Sequence, residues 1–337
     1  MNWESLDWEV LDRLRETFLT DKKSAGPYWH TITDLESYNL TYGERIGWKW
    51  EAVIAELKQR NWAPPAAATL LDWGCGSGIA GRRVVEAFGP DRFRQVFVHD
   101  HSELAMDFST HIARENFPQL EVARADVRLL RGVEPIGVLV VSHVLNELDE
   151  IARADLAALC ARAETILWVE PGTHEVSRAL GGWRETLRAT GLVPVAPCPH
   201  AAQCGVLAAG NERHWCHAFA SPPANLYADS CWVKFGQRAG IDLRSLPYCF
   251  LALDRRNTPA AATHSRIIGH PRIYKGYAKV FNCDAGGVTE LMLQKRDAPD
   301  LFKALKRGEA PALVRWTHAN GRVSRIEPSS VATSSED

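Results

Sequence analysis

Four cysteines and one glycine-rich turn are the parts of this 337-residue chain best suited to chemistry. The first group begins at Cys198-Pro199-His200-Ala201-Ala202-Gln203-Cys204 and continues through a polar, glycine-containing loop to His214-Trp215-Cys216-His217. Thiols repeated at short spacing in a loop can be aimed at one point, as a soft metal ion or an iron–sulfur cluster requires. Three thiolates leave one coordination position open. Cys283, followed by Asp284-Ala285-Gly286-Gly287, is a turn-borne candidate to close it, and the metal would then staple the end of one domain to the next. The alternative is packing, because free cysteine is a common small core residue and C-x5-C followed by an eleven-residue gap is looser than a zinc ribbon. His200, His214 or His217 could replace one thiol, which keeps zinc open beside a cluster.

The second group is Asp72-x-Gly74-x-Gly76-x-Gly78, where a glycine loop joins a short apolar strand to a helix. Backbone amides at the start of such a helix can face a ligand, and glycine permits close approach. Asp100 ends the next strand, where a carboxylate can accept both hydroxyls of a ribose. A dinucleotide dehydrogenase would share those features. S-adenosylmethionine is favoured by Asp72, placed to meet the amino acid end of the ligand, and by Asp126 after the third strand, where an adenine edge would lie. Asp100 and Asp126 could equally cap a helix or turn. Ser142, closing the fourth strand, completes the cofactor-binding set of Asp72, Gly74, Gly76, Gly78, Asp100 and Asp126. His143 or Glu147 could act as a general base or simply orient the following helix. No Asn/Asp-Pro-Pro-aromatic clamp for an exocyclic amine stands there, and no cysteine to attack a pyrimidine ring.

The elements that must position these groups follow from periodicity. Residues 3–18 and 35–60 have helical spacing, and Ile46, Trp50, Ile54 and Leu57 would line a buried face in the second. Asn61 to Ala68, with Pro64 and Pro65, breaks that helix. Strands are expected at 69–73, 95–99, 122–125, 136–141, 165–169 and 191–196, with helices at 79–88, 103–115, 151–163 and 175–189, a repetition that predicts a parallel sheet covered on both faces. A further strand at 248–253 makes the cysteine loop an insertion between neighbouring strands at one sheet edge. Beyond Asn257 the spacing predicts Arg/Lys-rich short strands at 272–282 and 288–295, then a disordered tail from Ile326 containing Ser329, Ser330, Ser334 and Ser335.

Length and composition suit one large domain with a smaller companion. No apolar run approaches a membrane span. The acidic start, with Glu4, Asp7 and Glu9, is neither a signal nor a transit peptide, so a cytoplasmic protein without a membrane is expected. The net charge of −2 conceals a split: residues 232–325 carry 17 Lys and Arg against 7 Asp and Glu, a balance of +10 that leaves −12 on the remainder. A basic C-terminal module is a plausible footprint for nucleic acid, or a solvated face of mixed charge.

Ser142-His143-Val144-Leu145-Asn146-Glu147-Leu148, Glu170-Pro171-Gly172-Thr173, Cys198-Pro199-His200, Trp215-Cys216-His217 and Lys275-Gly276-Tyr277 leading to Cys283 occur in this order. The series resembles the ribosomal small-subunit methyltransferase-like family, which has mitochondrial and bacterial members, over about residues 35–307. The resemblance implies a class I methyltransferase-like (Rossmann-like) α/β doubly wound sheet with N-terminal helices, a cysteine-rich metal or cluster loop and a small β-rich C-terminal domain. It implies a 4Fe-4S cluster on Cys198, Cys204, Cys216 and Cys283, and action in small ribosomal subunit assembly and translation, with ribosomal RNA as partner and methylation target. The alternative is a non-catalytic RNA-binding assembly factor that keeps the fold, with a structural cluster or zinc. A monomer is expected. Gly205 stands where the family usually has Pro, and Gly-Cys-Gly-Ser-Gly where it more often has Pro before the last Gly; Cys231 is the reserve ligand, and Cys160 and Cys249 default to packing. The domains so drawn are an N-terminal helical region at 1–65, a methyltransferase-like domain at 66–256 with the insertion at 197–232, a basic β-rich domain at 257–325 and the tail at 326–337.

Overall fold

The structure, a computed structural model, describes residues 3, 6–19, 28–257 and 263–327. Glu4 and the serines expected in the C-terminal tail lie outside the described residues. Three helices come first: α1 (Trp8–Leu19), α2 (Ile32–Tyr38) and α3 (Glu44–Gln59). Thr31 opens α2 with a capping box, its hydroxyl accepting from the Asp34 backbone while the Asp34 carboxylate accepts from that of Thr31. The single helix expected over 35–60 is interrupted by a π-helical turn at Asn39–Gly43, which shifts the register between α2 and α3. Trp50, Ile54 and Leu57 are buried, and Ile46 packs at their edge.

The central unit runs β1 (Ala68–Trp73), α4 (Ile79–Phe88), β2 (Phe93–His99), α5 (Glu103–Asn116), β3 (Glu121–Arg124), α6 (Val127–Arg131), β4 (Ile136–Ser142), α7 (Glu150–Arg162), β5 (Ala163–Pro171), α8 (His174–Ala189), β6 (Val193–Ala196), β7 (Ala218–Ala220), α9 (Ser230–Ala239) and β8 (Leu246–Asp254). The strand order is β3-β2-β1-β4-β5-β8-β6, with β7 also paired to β8. This is the class I methyltransferase-like arrangement. β1 to β5 pair in parallel, but β8 is antiparallel to both β5 and β6, so the sheet is mixed where a parallel one was expected. The chain leaves β6 through the cysteine loop and re-enters between β5 and β6 without a full crossover, and such a return forces the antiparallel sense. Side chains alternate between two buried faces: Leu70, Val138, Val140 and Leu167 pack with α3 and α4, while Leu71, Leu139, Val141, Ile166 and Trp168 pack with α7 and α8.

The C-terminal module runs β9 (Ser265–Ile273), β10 (Tyr277–Asp284), β11 (Gly287–Gln294), α10 (Pro299–Arg307), β12 (Leu313–Val314), β13 (Trp316–Ala319) and β14 (Arg322–Ile326), in the order β12-β9-β10-β11-β14-β13. The strand expected at 272–282 is two strands folded at Tyr274-Lys275-Gly276-Tyr277, where the Tyr274 N–H donates to the Tyr277 carbonyl at 2.9 Å. Only Arg315 separates β12 from β13. One bent strand therefore pairs with β9 by its first half and with β14 by its second, closing the sheet on itself. With β11 parallel to β14 and a helix between the third and fourth strands, this is an oligonucleotide/oligosaccharide-binding (OB) type of barrel. It has its own core of Ala278, Val280, Leu291, Leu293, Phe302, Leu305, Val314 and Trp316.

The barrel is tied to the central unit by a buried two-point ion pair, Arg266 of β9 donating to Glu56 of α3 at 2.6 and 3.1 Å. Arg60 joins the same carboxylate and also donates to the carbonyls of Val195, Pro197 and Cys198, so α3 holds the root of the cysteine loop as well. No helix among the described residues is long and apolar enough to cross a membrane.

Candidate cofactor pocket and thiol site

The glycine loop leaves β1 between two close neighbours. A Cβ on Gly78, at φ +74°, would lie 2.0 Å from the Ser109 hydroxyl oxygen, and one on Gly74, at φ +71°, would lie 2.6 Å from Val144. Only glycine takes that path. Asp100, at the end of β2, accepts from the Gly76 N–H through Oδ2 at 2.9 Å and from the Ser102 N–H through Oδ1 at 3.0 Å. Its carboxylate thus fixes the loop and keeps further lone pairs for a diol. Asp72 is held on one side: it accepts from the Gly81 N–H in the first turn of α4 at 3.0 Å, its Oδ1 meets no partner among the described residues, and burial pushes its carboxyl up to about 7. Asp126 is the N-cap of α6, accepting from the Leu129 N–H at 2.8 Å.

At the carboxyl end of β4, the Ser142 hydroxyl accepts from Trp50 Nε1 at 3.0 Å and lies 3.2 Å from His143 Nδ1. His143 Nε2 lies 3.2 Å from Lys49 Nζ. His143 has φ +57°, a left-handed conformation that a β-carbon disfavours. Enclosure by protein holds its imidazole well below the usual range and brings the Lys49 amine down to about 8. Glu170, closing β5, accepts from Trp168 Nε1 at 2.7 Å and from the Val144 and Leu145 N–H groups at 3.1 and 3.3 Å, which pins the turn that carries His143. Burial raises the Glu147 carboxyl to about 7, helped by the nearby charge of Asp100.

Over the loop lies an aromatic cover that sequence reasoning missed. Trp29 packs between Tyr28, tilted with ring centroids 4.5 Å apart, and Tyr38, edge-on at 4.9 Å, and its ring is 4.0 Å from where a Gly76 Cβ would stand. Glu147 and Asp100 both act on Tyr28 and Tyr38, whose hydroxyls burial holds well above their ordinary range. The density of aromatics between residues 28 and 50 was the available signal. What it could not reveal is that Trp29, with Tyr28 and Tyr38 packed on it, folds back over a loop that begins at Gly74.

The cysteine group comes from four places: Cys198 after β6, Cys204 at the start of a 3-10 turn, Cys216 before β7, and Cys283 near the end of β10 in the barrel. All four are free and partly exposed. Folding brings them into mutual electrostatic range, each pair appearing among the influences that, behind burial, raise the thiols of Cys204, Cys216 and Cys283. Cys216 is pushed up to about 12. Buried Arg184 donates from Nε to Cys198 Sγ at 3.1 Å and from Nη2 to the His200 and Ala202 carbonyls at 3.1 and 2.9 Å, shaping the C-x5-C turn. A Cβ on Gly205 would lie 2.7 Å from Gly287 Cα, so loop and barrel hairpin meet backbone to backbone. Of the histidines, His200 Nε2 lies 3.8 Å from Cys283 Sγ and its Nδ1 has no partner, while His214 packs on Phe281 and His217 stacks on Trp215. Cys160 and Cys249 are buried in the core, and Cys231 begins α9. Among the described residues, no three His, Cys, Asp or Glu side chains are drawn together as a single metal ion would need. In its chemistry the donor set, four thiols in electrostatic range of one another with a guanidinium on Cys198, suits a soft group.

No curated protein sequence matches the chain. Among solved structures it is similar to a candidate RNA methyltransferase of Pyrococcus horikoshii (12% identity, 72% of this chain and 98% of that one, TM-score 0.39). It is also similar to magnesium protoporphyrin IX methyltransferase of Synechocystis with bound S-adenosylhomocysteine (13%, 73% and 94%, 0.39). A third likeness is to the N-methyltransferase NodS of Bradyrhizobium japonicum (11%, 61% and 87%, 0.37). A family model described as mitochondrial small ribosomal subunit Rsm22 matches residues 42–310, and with most of its length covered the chain belongs to that family.

Proposed function

We propose that this protein binds S-adenosylmethionine in the glycine-loop pocket, carries a 4Fe-4S cluster on Cys198, Cys204, Cys216 and Cys283, and acts on the small ribosomal subunit during its assembly by methylating ribosomal RNA. The observation that carries the reading is the double construction of one molecule: a ribose-type carboxylate locked onto a glycine loop, and four thiols gathered from two modules of a small-subunit family. Asp100 would hold the ribose diol, the amides of the loop would face the amino acid end, and Tyr28, Trp29 and Tyr38 would exclude water above it. Bound there, S-adenosylmethionine supplies an activated methyl group, and the residues need only orient the acceptor and remove a proton. Glu147, whose carboxyl desolvation and the charge of Asp100 raise to about 7, would take that proton. A 4Fe-4S cluster would take all four thiolates, with zinc on some of them as the alternative.

A second reading has a specific observation behind it. Ser142 and His143 turn their polar atoms inward, to Trp50 and Lys49, which suits a factor that keeps the ligand site and performs no chemistry. Incubating purified small subunits with tritiated S-adenosylmethionine separates the two. Label in ribosomal RNA that is lost in Glu147→Gln supports the enzyme; calorimetric binding of the ligand with no label transferred supports the factor. No binding at all would defeat both.

A further inference from the structure

The outer surface of the barrel divides into two halves. Toward Cys283, Phe281 is covered by His214 of the cysteine loop at 4.1 Å between ring centroids. The other half lies toward the β9–β10 turn. There the pairing register lines up Arg272 of β9, Lys279 of β10, Met292 of β11 and Arg322 of β14 in one row across four strands. Their neighbours Ala278, Val280, Leu291 and Leu293 are buried, so the alternation of a strand turns the row outward. Glu290 is the carboxylate paired to this row, meeting both Arg272 and Lys279, which leaves three cations to one anion. Lys275, exposed at the tip of the β9–β10 turn, adds another cation.

That turn carries two tyrosines. Tyr274 and Tyr277 stack on each other with centroids 4.5 Å apart and rings 13° from parallel, and Tyr274 keeps 42% of its surface in solvent. The turn is rigid: Tyr274 donates to the Tyr277 carbonyl, and the Lys295 N–H donates to the Gly276 carbonyl at 2.9 Å. This pre-stacked aromatic pair lies at the surface and, among the described residues, belongs to none of the apolar clusters of the barrel or the central unit. On the far side, the Asn320-Gly321 turn between β13 and β14 is anchored to the row by the Met292 N–H donating to the Gly321 carbonyl at 2.8 Å.

We propose that this half of the barrel is a platform for an unpaired RNA strand, with bases stacking on Tyr274 and Tyr277 and phosphates following the Arg272–Lys279–Arg322 row. The proposal rests on the reading of the protein as one that acts on ribosomal RNA, and it narrows that reading to single-stranded segments. Aromatic faces distinguish an unpaired strand from a duplex because paired bases are already stacked, whereas cations alone attract both. The two flanking turns and the β10–β11 face are also where barrels of this type take oligonucleotides.

The test uses the full chain and fluorescence anisotropy with two probes: a labelled oligouridylate of about 12 nucleotides, within the span of one such barrel, and a labelled RNA duplex of similar length. Tyr274→Ala with Tyr277→Ala should weaken oligouridylate binding at least about 10-fold and leave duplex binding nearly unchanged, while Tyr274→Phe with Tyr277→Phe should bind as wild type. Arg322→Ala should weaken both probes and reduce the steepness of the salt dependence. Oligouridylate binding that is indifferent to the alanine pair, or a wild-type preference for duplex, overturns the platform while leaving RNA binding intact. Wild-type protein that binds neither probe at low salt but still binds purified small subunits overturns the RNA reading itself and assigns the face to a protein contact.

Discussion

The glycine-loop pocket and the thiol site are built on opposite plans. The pocket is local: Asp72, the three glycines and Asp100 lie within 30 residues, on the ends of two adjacent parallel strands, and its central bond joins Asp100 to Gly76. The thiol site is distributed. Its four thiols come from an insertion and from a separate barrel, which is docked through Arg266 and Glu56. A site at strand ends inherits its geometry from the sheet, whereas a site between modules inherits it from an interface. The first should survive changes that destroy the second.

The largest expected break is Cys283→Ser. Protein purified without oxygen should show a broad visible absorbance and about four irons per chain. Cys283→Ser should abolish both as completely as Cys198→Ser does, while S-adenosylmethionine affinity measured by calorimetry stays within about twofold, as independent sites allow. Cys160→Ser, in the core of the central unit, should keep the colour. A coloured Cys283→Ser protein would show that the barrel contributes no ligand.

Next in size is the docking ion pair. Arg266→Ala leaves Glu56 buried against Arg60 alone and should cost about 3–5 kcal/mol in denaturant unfolding. Burial by itself would raise the Glu56 carboxyl, but Arg266 and Arg60 outweigh it and hold the group below its ordinary value. A depressed carboxylate contributes stability that is fully present above its unfolded-state pKa and lost as pH falls through the folded one. The wild-type barrel should therefore stay docked at neutral pH and loosen only below the ordinary glutamate range, a transition that Glu56→Gln should remove from the pH–stability curve.

Smaller effects probe the local site. Asp100→Ala removes the acceptor for both the Gly76 N–H and the proposed ribose, and should weaken S-adenosylmethionine roughly 10- to 100-fold while leaving the visible spectrum unchanged. Equal affinity would mean that the pocket is not the ligand site. The smallest change is at Asp126. Asp126→Ala should lose about 1 kcal/mol of stability through the α6 cap, and Asp126→Asn should restore it. Ligand affinity that also falls in the asparagine variant would assign the carboxylate to the adenine as well as to the cap.

Much of the central unit was legible because its signals are local. A buried strand reads as an apolar run and an amphipathic helix as a 3.6-residue stripe, so α4 spans Ile79–Phe88 as expected and β4 and α7 differ by a single residue at an end or two. The strand expected over 272–282 failed because β9 and β10 are both half-exposed and the run of alternating residues continues straight through the Lys275-Gly276 turn. The position of Asp72 before the first glycine was legible, but that one of its oxygens accepts from the Gly81 N–H is set by α4 packing and invisible in a spacing.

By itself, then, the sequence determined which backbone could form: glycines at left-handed positions, a carboxylate at the end of β2, three thiols in loops, and an excess of positive charge after residue 232, whereas Cys283, expected in a turn, lies in β10. It also indicated the four thiols as a set, through the order of their motifs. Only the tertiary structure decided that Lys49 and Trp50 of α3 reach the end of β4, that Tyr28 and Trp29 roof the glycine loop, and that a bent strand broken at Arg315 closes a barrel. These contacts join residues tens of positions apart. Their partners are chosen by which faces are left to bury once the local elements exist, and that choice is a property of the packed whole.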